Sequence, residues 1–131
     1  MSWLAKLFKK ELAPIPFDDL GCDMHSHFIP GIDDGSPDME TTISLIKKSM
    51  EMGFKKIITT PHVMSDFYKN TPEIILSGLE AVRKELKNQS IDIEIDAAAE
   101  YYVDFDFTEE LSEKKVLTFG DNNLLIETSF I

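Results

Sequence analysis

An α/β fold of parallel strands joined by crossover helices is predicted by three features of the chain. Strand-like and helix-like apolar patterns alternate from Leu20 to Glu127, the helical stretches repeat apolar residues at spacings of three and four, and imidazoles and carboxylates stand where the strand patterns stop. In such folds function gathers at the C-terminal ends of the strands. With 131 residues, 43% of them hydrophobic, the chain can bury one ordinary core and would be crowded as two domains.

The elements follow in order. Ser2 to Leu12 reads as a short amphipathic arm, with Leu4, Leu7, Phe8 and Leu12 apolar and Lys6, Lys9 and Lys10 elsewhere. It suits packing on its own domain better than lying on a membrane surface, and the lysines interrupt it too often for a signal peptide or a span. Pro14 and Pro16 end it, so residues 1–17 form the arm and 18–131 the domain. From Leu20 the pattern alternates: Leu20, Cys22 and Met24 share one face of a strand, and Asp23, His25 and His27 the other. A turn-rich loop, Pro30-Gly31-Ile32-Asp33-Asp34-Gly35, leads to Ser36 as a helix cap and Pro37 at the first helical position. Met39, Ile43, Ile46 and Met50 then form a helical stripe that Gly53 can terminate.

Lys56-Ile57-Ile58-Thr59-Thr60 has the length and β-branching of a buried strand, stopping at Pro61-His62. The unit repeats, with Thr71-Pro72-Glu73 opening a helix whose stripe is Ile75, Leu79, Val82 and Leu86. Ile91, Ile93 and Ile95 alternate with acids before Ala97-Ala98-Ala99-Glu100; a short helix is expected from about Thr108, and a last strand over Leu124 to Glu127. The chain reaches Ile131 after about four strand-helix units, where a closed barrel needs roughly seven or eight. The expectation is therefore the N-terminal half of a TIM-like barrel, with an open sheet edge that favours self-association.

Charge narrows the function. A formal net charge of -11 repels polyphosphate, so nucleic acid is a poor partner and an anionic substrate would need metal ions to draw it in. The single cysteine, Cys22, allows no internal disulfide and fits a reducing compartment, the cytoplasm. A cysteine-based phosphatase loop would place arginine six residues after the cysteine; Phe28 stands there.

All three histidines lie at strand ends: His25 and His27 in Asp23-Met24-His25-Ser26-His27, and His62 after Pro61. Residues two apart on a strand point the same way, so His25 and His27 can reach one metal ion, with Asp23 orienting an imidazole behind them. Glu100 and Glu127 follow apolar runs, where an unpaired buried carboxylate would be costly and a metal would remove that cost. Asp34 lies in the first strand-to-helix loop as a further ligand candidate, whereas Asp33, Asp38, Asp92, Glu94 and Asp96 read as solvated charges. Phe67 and Tyr68 fall on the same face as His62, either flanking an aromatic substrate or packing their own loop.

The run Asp23-Met24-His25-Ser26-His27 with Pro30 to Gly35, then Thr59-Thr60-Pro61-His62, Ala99-Glu100 and Leu125-Ile126-Glu127, closely resembles the capsule-type protein-tyrosine phosphatases of the polymerase and histidinol phosphatase superfamily. The resemblance covers about Cys22 to the end. It implies a distorted barrel holding three divalent metals, usually manganese with zinc or iron as alternatives. It also implies hydrolysis of phosphotyrosine by metal-activated hydroxide, on the tyrosine-rich tail of a polysaccharide-export kinase. Position by position it places His25, His27 and a bridging Glu100 on one metal, Glu100 and Glu127 on a second, and Asp34 and His62 on a third. Further ligands and a phosphate-facing arginine would come from a second half of the barrel. Arg83, beside a helical stripe, reads as a surface charge, so these 131 residues alone are expected to be weakly active or inactive. A small-molecule phosphatase acting on histidinol phosphate, and a non-catalytic metal-binding scaffold, are the competing functions.

Overall fold

The ladder of parallel strands is set by which short apolar runs can pair without a polar group left over. A computed structural model describes residues 17–129, so the expected arm lies outside the described residues except for Phe17. The elements are β1 (Cys22–Asp23), α1 (Met39–Glu51), β2 (Lys56–Thr59), β3 (His62–Val63), α2 (Pro72–Asn88), β4 (Glu94–Ala97), β5 (Glu100–Tyr102), α3 (Phe105–Ser112) and β6 (Leu125–Glu127). Every pairing between these strands is parallel, in the orders β1-β2-β4 and β3-β5-β6, as the alternation of strand and helix requires.

The two three-stranded sheets run end to end. Thr59 pairs with Ala97, and three residues further along each strand His62 pairs with Glu100, so the register carries over without a slip. Between them the Ala98 N–H donates to Thr59 O at 2.9 Å and the Glu100 N–H to Pro61 O at 3.0 Å. Pro61 has no N–H to give the neighbouring strand, which interrupts the ladder between β2 and β3.

The core sits between β2, β4 and one face of the two long helices. Ile57 and Ile95 meet Ile43 and Ile46 of α1 and Ile75, Leu79, Val82 and Leu86 of α2, all buried. Each such side chain stabilises the fold by about 1.5–3 kcal/mol relative to exposure. Gly78 lets α2 approach the loop after β1: a Cβ there would stand 2.3 Å from Cγ2 of the fully buried Ile29. Arg83 donates from Nε and Nη2 to Ile95 O at 3.1 and 2.8 Å, which fastens α2 to β4 rather than leaving a free surface charge. Among the described residues no helix is long and apolar enough to cross a membrane.

Three boundaries differ from expectation. The first strand is only Cys22–Asp23, and Leu20 and Met24 lie outside it, exposed. Gly21, at φ +68°, breaks the extended run before it. The cap of α1 is Asp38, whose carboxylate accepts from the Thr41 N–H at 2.7 Å. Ser36 is instead drawn into the loop, its N–H donating to His27 O at 3.0 Å, so Pro37 precedes the helix instead of opening it. The short helix starts at Phe105, not near Thr108, because Asp104 supplies its cap.

Candidate metal centre

His25 and His27 lie beyond the two paired residues of β1, so something other than the ladder must hold them. That role falls to Thr59 at the end of β2. Its hydroxyl donates to Ser26 O at 2.9 Å and accepts from the Phe28 N–H at 2.8 Å, while the Thr60 N–H also donates to Ser26 O. The segment 26–28 is thereby stitched to the buried strand end, and the two imidazoles project beside it. His62 and Glu100 face the same way because they are partners in the β3–β5 ladder. Glu127 joins them from β6, where Tyr102 is its register partner two residues past Glu100.

Glu100 is the hub. Its Oε2 lies 3.0 Å from His25 Nε2, 3.2 Å from His27 Nε2 and 3.5 Å from His62 Nδ1, and its side chain is only 9% exposed. His62 Nδ1 is also 3.5 Å from Glu127 Oε2, and His62 Nε2 is 3.5 Å from Asp34 Oδ1 on the exposed loop. The six residues singled out in the sequence thus converge. Their ligand atoms form three overlapping groups: His25, His27 and Glu100; His27, Asp34 and His62; and His62, Glu100 and Glu127. The second and third groups are larger than the pairs that the resemblance implied, because His27 also reaches Asp34 and His62 also reaches the two glutamates.

One residue taken as a solvated charge is nothing of the kind. The Asp33 side chain is completely buried, with Oδ2 at 2.8 Å from His27 Nδ1 and accepting from the His62 N–H at 2.9 Å, and Oδ1 accepting from the Gly35 N–H at 3.0 Å. Burial pushes its pKa up, but these hydrogen bonds outweigh it and hold the carboxylate below its usual range. The bond to Asp33 raises the His27 pKa against the opposing effect of burial. The signal in the sequence was only an adjacent Asp-Asp pair, and nothing local tells which member turns inward. Asp23 does not orient an imidazole: its Oδ1 accepts from the His25 backbone N–H at 3.1 Å. Of the other acids set aside as solvated, Asp38 caps α1 and Glu94 pairs with Lys56 across the strands at 2.6 Å. Tyr68 stacks on His62 with ring centroids 5.5 Å apart and planes 13° apart, while Phe67 points to solvent.

The donor set fits divalent metal ions. Among the described residues, His62 Nδ1 and Glu127 Oε2 are buried and have no hydrogen-bond partner, although they face each other. Leaving such atoms bare costs about 1–3 kcal/mol each, and a cation between them removes the cost. Ligand atoms about 2.0–2.2 Å from one ion stand roughly 3.0–3.5 Å from each other, which is the spacing around Glu100. Imidazoles mixed with carboxylates suit transition metals rather than calcium or magnesium.

Comparison with known proteins gives an independent result. The family model described as "Capsular polysaccharide synthesis, CpsB/CapC" matches residues 21–130. The tyrosine-protein phosphatase YwqE of Bacillus subtilis is 28% identical over 109 residues, 82% of this chain and 43% of YwqE. The tyrosine-protein phosphatase CpsB of Streptococcus pneumoniae is 32% identical over 108 residues, covering 82% of this chain and 44% of its own length. A chain from the crystal structures of YwqE from Bacillus subtilis and CpsB from Streptococcus pneumoniae, metal-dependent tyrosine phosphatases, superposes with a TM-score of 0.74 at 26% identity. That match covers 83% of this chain and 44% of the solved one. The chain therefore spans less than half the length of the relatives it matches.

Proposed function

We propose, from the premise that the chain belongs to the CpsB/CapC capsular polysaccharide synthesis family, that it is the metal-binding part of a metal-dependent protein-tyrosine phosphatase. Residues 18–131 are the N-terminal part of the phosphatase domain, and the parallel sheet is the first half of a distorted TIM-like barrel. The observation that carries this reading is the pair of buried, unpartnered atoms facing each other, His62 Nδ1 and Glu127 Oε2, beside the Glu100 hub. His25, His27 and Glu100 would hold one ion, Glu100, Glu127 and His62 a second, and Asp34 and His62 with His27 a third. Manganese is the favoured metal.

Ions held there would supply a water of lowered pKa and positive charge against the phosphoryl oxygens. The chain's own residues set the geometry. Glu100 holds the three imidazoles to one point, Asp33 meets His27 Nδ1 at 2.8 Å, and the stacked ring of Tyr68 closes one side of His62. Cys22 takes no part, since burial raises its thiol pKa and disfavours the thiolate. The substrate is a phosphotyrosine tail on a polysaccharide-export tyrosine kinase in the cytoplasm. The test is turnover of a phosphotyrosine peptide by the protein that carries this domain, loaded with manganese. Hydrolysis abolished by a chelator is expected; faster turnover of histidinol phosphate would overturn the substrate, and full activity without metal would overturn the mechanism.

A further inference from the structure

We infer that Asp33 is the positioning residue of the metal centre: it fixes His27 in the tautomer whose Nε2 can ligate, and ties that ring to the backbone of His62. The inference rests on the metal reading above. Three observations carry it.

The first is the bonding pattern. The carboxylate is closed off from solvent and receives three donors from three different places in the site: the His27 ring, the His62 backbone N–H and the Gly35 backbone N–H. A carboxylate can only accept, so a neutral His27 must carry its proton on Nδ1. Its Nε2 lone pair then faces Glu100 Oε2 at 3.2 Å, acceptor to acceptor, the arrangement that a cation between them would satisfy. The second is that Asp33 Oδ2 serves two groups at once. His27 belongs to the first two ligand groups and His62 to the last two, so one oxygen holds residues of all three in mutual register. The third is the shape of the loop. A Cβ on Gly35 would lie 2.3 Å from His27 Cβ and 2.4 Å from His27 O, so the chain after Asp33 can fold back onto His27 only with glycine there. The Ser36 N–H donates to His27 O and completes the clasp.

Asp33→Asn keeps the volume and removes the charge, and one of its two positions becomes a donor. If the amide nitrogen takes the place of Oδ2, it drives the His27 proton to Nε2; if it takes the place of Oδ1, it opposes the Gly35 N–H and loosens the clasp. The experiment uses the full chain. Histidine side-chain nitrogen NMR on the metal-free protein, above the histidine titration range, reads the tautomer, and calorimetric titration with manganese reads affinity. The expected results are Nδ1–H for His27 in the wild type, and a ten- to hundredfold weaker manganese affinity in a folded D33N protein. Wild-type His27 protonated on Nε2, or wild-type manganese affinity in folded D33N, would overturn the inference. If D33N does not fold, the wild-type tautomer still decides. A wild type that binds no manganese yet shows the Nδ1–H tautomer would refute the metal reading while leaving the hold of Asp33 on His27 intact.

Discussion

The lower and upper stretches of the sheet share a register but not a chemistry. In the lower stretch β2 and β4 put Ile57, Thr59, Ile95 and Ala97 into a closed interior, and the acids that alternate with them face solvent. Past Pro61 and Ala98 the same ladder continues, yet its paired residues become the polar His62 and Glu100. Burial alone does not separate the two, since Glu100 is as buried as Ala97. What changes is satisfaction. Apolar packing dominates the lower stretch, with Ser26 Oγ beside its end unpartnered, whereas in the upper one His62 Nδ1 and Glu127 Oε2 face each other buried and without hydrogen-bond partners. The apolar core is thus concentrated in one stretch and the proposed metal centre in its direct continuation, and a substitution should affect mainly the property of the stretch in which it falls.

The largest effect should come from the hub of the upper stretch. Glu100→Ala removes the oxygen that faces three imidazoles, and manganese affinity is expected to fall by more than about a hundredfold, measured by elemental analysis after dialysis. His25→Ala should cost less, because its ring is half exposed and belongs to a single ligand group. Neither change reaches the lower core, so unfolding in urea should shift little for His25→Ala.

Leu79→Ala reverses the pattern. This side chain is fully buried on α2 among Ile57, Ile75 and Val82, and its truncation should destabilise the fold by about 2–5 kcal/mol in denaturant titration. Manganese affinity of the folded fraction should remain near wild type. Equal losses of affinity in Leu79→Ala and Glu100→Ala would break the division between the two stretches.

A smaller effect lies at the rim of the upper stretch. Asp104 caps α3 by accepting from the Phe107 N–H and also accepts from the Ser65 N–H and hydroxyl, the latter at 2.7 Å. Burial raises its pKa, but these bonds prevail and lower it. Its contribution to stability is therefore present above the ordinary carboxylate range and is lost as pH falls through the lowered value. Asp104→Ala should cost about 1 kcal/mol at neutral pH, and the difference from wild type should shrink on acidification, measured by urea unfolding across pH. Smallest of all is Cys22→Ser on β1, which should change stability in urea unfolding by no more than about 0.5 kcal/mol.

Much of this division could be read from residue order. The stripes of α1 and α2 follow a helical period, and Thr71-Pro72 marks the start of α2, because these signals are local. The strand-end placement of His25, His27, His62, Glu100 and Glu127 was legible because paired parallel strands bring equivalent ends together. Asp33 was not, since its inward turn depends on a glycine clasp and on His62, distant in sequence. Nor was the continuation of the ladder past Pro61, which a local reading takes as a stop while the Glu100 N–H still finds Pro61 O. Asp104 escaped notice for a similar reason: its second partner, Ser65, comes from another loop.

The most direct measurement is anomalous diffraction at the manganese edge from crystals of the chain equilibrated with manganese. The account predicts a peak bounded by His25, His27 and Glu100, and another between His62, Glu100 and Glu127. Crystals showing no anomalous density at these residues, or manganese held only by acids elsewhere on the surface, would contradict it.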